Sequence, residues 1–352
     1  MNALTKICLC ITLILLIAGC AQPQPEAVSS SDAVQWPTSG WKTAGPEQQG
    51  VDAQKLAEMQ AYIEQSGLNL HSLLIVRNGY IVSETYYNGS SQSAEHELFS
   101  VTKSVIATLI GMAVDQAKLA IDQPVSDFLP VADYANPSPS KQAMTVEDLL
   151  TMTSGLDWPE VDSTFRSMYM SRDWVRWVMD LPMREELGET FLYCSGCSHV
   201  LSAILQQSVG MTAEEYAKRN LFAPLGIRDY SWEKDAQGIS VGGWGLSLTA
   251  RDMAKLGYLY LRNGEWDGEQ ILSQEWIAAA ASKHVDTDGD LGYGYQWWIY
   301  PDYGAYTALG RDGQTIFVIP DMDLVIVTTA KITNHDPIFD LIDQYIVPAV
   351  VE

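Results

Sequence analysis

"FSVTKSV", residues 99–105, sets a serine and a lysine three positions apart at the head of an apolar run. The same Ser-x-x-Lys spacing recurs at Ser39–Lys42, Ser138–Lys141 and Ser231–Lys234, so spacing alone selects none of them. Context separates the four. Ser39 lies in "WPTSGWK", where Pro37 and Gly40 break a helix. Ser138 lies in "NPSPSK", where two prolines forbid a regular one. Ser231 lies in "DYSWEKDAQG", a charged stretch without an apolar face. Ser100 alone opens a helix, with Val101, Val105, Leu109 and Met112 on one face, widened by Ile106, Ile110 and Val114. Residues three apart on a helix share a face, with Cβ atoms about 5–6 Å apart, so Lys103 reaches the Ser100 hydroxyl. Free N–H groups and the positive dipole end favour the anion formed when a serine attacks a carbonyl. The same field, with burial, lowers the lysine pKa and frees it to act as a base. The competing reading is a capping serine and a solvated lysine.

On the N-terminal side, Leu73–Val76 and Tyr80–Ser83 flank Asn78-Gly79, a two-residue hairpin signal. Before them, Leu56, Met59 and Ile63 mark a helix over 52–65. Near the C-terminus, Thr315–Ile319 and Leu324–Thr329 read as strands around Pro320-Asp321, with "TALG" as a third. A final helix is expected from Pro337, capped by Asp336, with Ile338, Leu341, Ile342 and Tyr345 on one face. Between the two ends, Thr145-x-x-Asp148, Thr212-x-x-Glu215 and Thr249-x-x-Asp252 each precede an apolar-periodic segment, as helix caps do. The expected architecture is one antiparallel sheet built from both chain ends and flanked by helices. A mostly helical region, about 145–265, is inserted, and a cleft is expected where it meets the sheet.

The first residues belong to a different story. "MNALTKICLCITLILLIAGC" has an early lysine, an apolar run from Ile7 to Ile17 and small residues before Cys20, the pattern of a secretory signal. "LIAGC" also resembles a bacterial lipobox, which implies cleavage after residue 19 and lipidation of Cys20. Acyl chains there hold a soluble domain at a membrane surface. Ala21 after the cysteine points to the outer membrane, facing the periplasm. Residues 20–45, rich in Pro, Ser and Gln, read as a tether, and 46–350 as the folded domain. With 44 acids against 21 bases, net −23, and no basic stripe, the chain is not built for nucleic acid or for anionic lipid. Of five cysteines, only Cys194 and Cys197 remain in the domain. Two small residues in a tight turn, a local disulfide in an oxidising compartment, and redox or metal chemistry are the open readings.

"FLYCSGCSHVLSAIL" places Tyr193 before another helical run, and "LGRDGQTIFVIP" places Arg311-Asp312-Gly313 ahead of a strand. With "FSVTKSV", "VEDLLTMTSGL" and "GGWGLSLTARDMAKLGYLYLRNGEW", the chain resembles the serine β-lactamase-related superfamily over roughly 46–350. The resemblance is to its class C-like branch, which also holds penicillin-binding peptidases, esterases and 6-aminohexanoate oligomer hydrolases. It implies an α/β sandwich of the β-lactamase/transpeptidase type. It implies Ser100 as nucleophile, with Lys103 and Tyr193 as proton-transfer groups. Tyr86-Tyr87-Asn88 competes for the tyrosine role but precedes the nucleophile and reads as a strand end and turn. The resemblance places the oxyanion-hole N–H groups at Ser100 and Gln314, and substrate contacts at Ser195, Arg311, Asp312 and Gly313. Two departures stand out. The third residue of Tyr-x-Asn is Ser195, and the strand lysine of Lys-Thr-Gly is replaced by "RDG". Both remove groups that hold a β-lactam, and "YCS" sits nearer the 6-aminohexanoate hydrolase and esterase side.

The resulting expectation is a lipid-anchored serine hydrolase of a small ester or amide, with no metal and no cofactor. A β-lactamase or D-amino-acid peptidase is the alternative. A non-catalytic binding or sensor lipoprotein is a third reading, against which the intact Ser100, Lys103 and Tyr193 set argues. The histidines carry no motif and read as structural or surface residues. Of Trp158, Trp174, Trp177, Trp244, Trp297 and Trp298, most are expected in the core and one or two along an apolar acyl pocket.

Overall fold

Asn78 and Gly79 both take positive φ, 53° and 81°, and close the expected hairpin as a two-residue primed turn. This computed structural model describes residues 34–351. The segment read as a signal sequence and Cys20, expected to be lipidated, lie outside the described residues. The hairpin joins β1 (Leu70–Arg77) to β2 (Tyr80–Tyr86). Later strands are β3 (Val285–Asp286), β4 (Gly292–Tyr293), β5 (Trp298–Ile299), β6 (Tyr306–Gly310), β7 (Gln314–Ile319) and β8 (Leu324–Ala330). They form one eight-stranded sheet in the order β2-β1-β8-β7-β6-β5-β4-β3. Every neighbouring pair is antiparallel, and β1 from the N-terminal part lies against β8 from the C-terminal part.

Side chains alternate across a strand, and both faces of this sheet are covered. Leu74, Val76, Ile316, Val318, Val325 and Val327 enter the larger core. Leu73, Ile75, Phe317, Ile319, Leu324 and Ile326 enter the smaller one. The principal helices are α1 (Ala53–Ser66), α2 (Val101–Asp115), α3 (Ser195–Val209), α4 (Ala250–Leu261) and α5 (Asp336–Leu341). The smaller core takes Leu56, Met59 and Ile63 of α1 and Ile338 and Leu341 of α5. The Asp52 carboxylate caps α1 through the N–H groups of Gln54 and Lys55. In α2 every residue from Val101 to Ala113 is buried, so it runs through the larger core rather than along its surface. The result is the α/β sandwich with a helical insert.

Four expectations need correction. Residues 34–45 are not a free tether. Trp36 packs on Tyr258 and Trp266, and the Trp41 indole N–H donates to the Arg251 carbonyl at 3.0 Å. Ser138 does open a helix, Pro139–Ala143, because a proline at the first position lacks only an N–H that has no partner there anyway. Asp336 is the first residue of α5 rather than its cap, which is His335. Helix α4 belongs to the sheet layer, with Tyr258 in the same core as Val325, and a three-stranded sheet (Glu95–Glu97, Leu246–Thr249, Ser231–Trp232) interrupts the helical region.

Candidate active site

The chain turns into α2 through an unusual residue. Phe99 sits at φ 47°, a left-handed conformation that costs a bulky side chain on the order of 1–3 kcal/mol. Neighbouring elements hold it there. Leu98 N–H donates to Leu246 carbonyl at 2.8 Å. The end of β6 fits against the same turn so closely that a Cβ on Gly310 would lie 2.2 Å from the Leu98 oxygen. Ser100 follows as the N-cap of α2, yet its side chain caps nothing. The capping-serine reading fails on that point. Its Oγ instead lies 2.8 Å from Lys103 Nζ.

Lys103 is 1% exposed, so the solvated-lysine reading fails as well. Its Nζ also donates to the Gly243 carbonyl at 2.8 Å. Burial pulls its pKa down to about 8; the Glu160 carboxylate opposes that shift and the Arg311 guanidinium adds to it. Tyr193 stands on the other side, its ring centroid 4.8 Å from Lys103 Nζ and its phenol facing Ser100. The ring stacks on Trp298 at 5.7 Å and meets Tyr293 edge-on. Burial raises the phenol pKa, so Tyr193 is a neutral hydroxyl near pH 7. The structure therefore brings Ser100, Lys103 and Tyr193 together. The other three Ser-x-x-Lys pairs do other work: Lys42 bonds Gln35, Lys141 is buried on the carbonyls of Ala135 and Met179, and Lys234 pairs with Glu214.

Ser100 opens onto a cavity of about 370 Å³. Phe165, Tyr169 and Trp244 form an aromatic wall, with Trp244 edge-on to Phe165 at 5.3 Å. Glu97, Glu160 and Asp162 bring carboxylates, and Arg166 and Arg311 bring guanidiniums. Trp244 is the one of the six tryptophans that reaches this cavity. Trp158 and Trp297 are buried, and the rest pack on the core. Two larger grooves near Thr38 and Arg228 are lined by neither Ser100 nor Lys103. Among the described residues, no group of three or more His, Cys, Asp or Glu is placed to hold a metal ion.

The residues expected at the substrate divide. Ser195 and Arg311 line the cavity; Asp312 and Gly313 do not. "RDG" forms the tight turn between β6 and β7, with Asp312 at φ 65°. The Asp312 carbonyl accepts from Ile332 N–H, and the Gly313 carbonyl from the Thr328 hydroxyl. Gln314 is absent from the cavity wall too. It pairs with Gly310 at the closed end of the β6–β7 ladder, and its side-chain amide donates to the Ala330 carbonyl at 2.8 Å. Sequence reasoning missed Glu160, whose carboxylate takes the Ser195 hydroxyl, the Ser195 N–H and the Trp158 indole N–H. A lone glutamate in a loop carries no motif, so nothing in the sequence marked it. Cys194 and Cys197 form a disulfide directly after Tyr193, closing the first turn of α3.

The chain matches the Beta-lactamase family over residues 56–349. It belongs to that family. This beta-lactamase-family hydrolase is 28% identical over 312 residues to the 6-aminohexanoate-dimer hydrolase of Paenarthrobacter ureafaciens, covering 81% of this chain and 78% of the relative. Among solved structures it resembles a putative 6-aminohexanoate-dimer hydrolase from Bacillus anthracis, with TM-score 0.75 at 20% identity, covering 90% and 89% of the two chains. It also resembles EstCE1, described as a hydrolase with promiscuous acyltransferase activity, with TM-score 0.68 at 20% identity, covering 80% and 95%. At such identities these structural likenesses show the fold.

Proposed function

We propose that this protein is a lipid-anchored serine hydrolase that cleaves a small ester or linear amide through an acyl-enzyme on Ser100. The observation that carries the reading is the 2.8 Å approach of a fully buried lysine amine to the Ser100 hydroxyl. Neutral Lys103 takes the Ser100 proton while Oγ bonds to the substrate carbonyl carbon. The oxyanion is held by the N–H of Ser100 and that of Arg311. The β-ladder supports Arg311 in place of Gln314. Tyr300 N–H donates to the Ala305 carbonyl at 2.9 Å, so odd-numbered residues of β6 turn their main-chain groups toward β5. β5 ends opposite Thr307, which leaves the edge beyond it, at Leu309 and Arg311, without a strand partner. Lys103 then returns its proton through the Tyr193 hydroxyl to the leaving alcohol or amine. Water then gives a proton to Lys103 as its oxygen bonds to the acyl carbon; the acyl C–Oγ bond breaks, Ser100 Oγ takes the proton back from Lys103, and the acid leaves.

Three carboxylates against two guanidiniums in the cavity suit a substrate bearing an amino group better than one bearing a free carboxylate. A β-lactamase or D-amino-acid peptidase is the second reading, favoured by the fold and disfavoured by the turn position of "RDG". Labelling with a fluorophosphonate, followed by mass spectrometry of the peptides, tests the proposal. The label belongs on Ser100, and its appearance on Ser39, Ser138 or Ser231 would end the assignment. The anchor is tested separately. Cys20→Ser is expected to release the protein from the membrane fraction, and a wild-type chain without acyl mass would remove the anchor from the proposal. Among the described residues no helix is long and apolar enough to cross a membrane.

A further inference from the structure

The buried histidine His199 has no part in the scheme above, yet a chain of contacts leads from it to Lys103. A neutral amine has two N–H groups and one lone pair. To take the Ser100 proton, Lys103 must aim the lone pair at Oγ, so something else must hold its N–H groups. The Gly243 carbonyl does so at 2.8 Å. That carbonyl sits in Gly242-Gly243-Trp244, a segment pressed onto the first turn of α3. A Cβ on Gly242 would lie 2.0 Å from the Ser198 oxygen, and one on Gly243 2.7 Å from the Ser195 oxygen.

The flanks of this segment are fixed by the Trp232 indole N–H on the Val241 carbonyl at 2.8 Å and by Glu233 N–H on the Gly245 carbonyl at 3.0 Å, and between them Gly242 is held by the His199 side chain. Gly242 N–H donates to His199 Nδ1 at 3.4 Å. Because Nδ1 accepts, the ring proton is on Nε2, which faces the Asp235 carboxylate at 3.1 Å. Asp235 is fixed in turn by the N–H groups of Gln237 and Ile239, both at 2.9 Å. The His199 and Asp235 side chains are 0% and 1% exposed, so water does not substitute for either partner. Trp174 closes the arrangement, packing on His199 at 5.5 Å and on Trp244 at 5.9 Å.

We infer that His199, backed by Asp235, is a positioning residue for Lys103, setting the Gly243 carbonyl through Gly242 so that the amine lone pair points at Ser100. This inference rests on the Ser100–Lys103 reading. Two charged groups act on Lys103, Glu160 and Arg311, and Tyr193 faces it. A change at His199 leaves all three in place. Losing the Gly243 acceptor removes a bond that favours the ammonium form, so the lysine ionises less readily and the acid limb of the rate profile moves to lower pH. A role in folding alone changes the amount of active protein and leaves that limb where it was.

Two polar variants separate the possibilities. His199→Asn keeps an acceptor near the Nδ1 position; His199→Gln keeps a donor toward Asp235 and loses the acceptor for Gly242. Ester hydrolysis is measured across pH on the full chain, normalised by fluorophosphonate active-site titration, with melting temperatures recorded alongside. The expected result for His199→Gln is a fall in kcat of about tenfold, the effect of one hydrogen bond. Its KM stays near wild type and its acid limb shifts down. His199→Asn recovers most of the kcat. Equal kcat in both variants, an unmoved acid limb, or failure of both to fold would overturn the inference and leave His199 to the fold. Ser100→Ala runs as the control. If the wild type shows no Ser100-dependent hydrolysis, the proposed function itself fails. If it does and His199→Gln matches it, only this inference fails.

Discussion

Ser195 gives its hydroxyl to the Glu160 carboxylate, and its main-chain N–H reaches the same carboxylate at 3.1 Å. The hydroxyl that stands in place of a Tyr-x-Asn asparagine is therefore engaged by Glu160 rather than left for a substrate amide. One such bond is worth about 0.5–1.5 kcal/mol, up to roughly tenfold in rate. Short p-nitrophenyl esters need only the nucleophile, the base and the oxyanion donors. Their kcat/KM is expected to exceed that of nitrocefin by about tenfold or more. Side-by-side kinetics decide it, and faster nitrocefin turnover would promote the β-lactamase reading.

Glu160 also faces Lys103. Its charge favours the ammonium form and opposes the effect of burial. Glu160→Gln is expected to lower the lysine pKa and move the acid limb of kcat/KM to lower pH. For amino-bearing substrates it should also raise KM. A limb that stays put would show that the Glu160 charge does not reach the base.

Ser100→Ala should cut turnover by on the order of 10³ or more while leaving the melting temperature close to wild type. The side chain makes no helix cap, so removing it costs α2 no capping bond. A variant that keeps half its activity would move the nucleophile elsewhere.

The Lys103 amine must be neutral to accept a proton, and burial holds its pKa at about 8. Activity should therefore be low at pH 6, rise through pH 8 and level off above it, up to the pH at which the fold or Tyr193 gives way. Rates measured on esters stable over that range, extrapolated to zero buffer, test the sign. A profile falling from pH 6 to pH 9 would exclude a lysine base.

Five of the eight strands of the large sheet, α1 and α2 were legible in the sequence because each carries a local signal, whereas the two-residue strands over 285–299 carry none. Asn78-Gly79 needs two positive φ values, and α2 has apolar residues at helical spacing. Ser100 and Lys103 were legible for the same reason, since one helix holds both. What could not be read was long-range. Glu160 meets Ser195 across 35 positions, and Gly243 meets Lys103 across 140. Neither pairing leaves a mark in its neighbourhood. The Arg311–Gln314 turn misled for a related reason. Three residues ahead of a strand look like the start of it, and only the pairing of Gly310 with Gln314 shows them to be a bend. Phe99 gave no warning either, because a large aromatic is a poor choice for positive φ and is kept there by its surroundings.

The pairing of β1 with β8 puts residue 70 beside residue 330. A ribosome therefore delivers the nucleophile more than two hundred residues before the strand that completes its scaffold. Until Leu324–Ala330 emerges, β1 has one open edge, and contacts so distant in sequence close slowly. The nascent chain consequently carries Ser100 and Lys103 without the floor that sets them. The hydrolase fold is therefore complete only once Leu324–Ala330 has been made and has closed the open edge of β1.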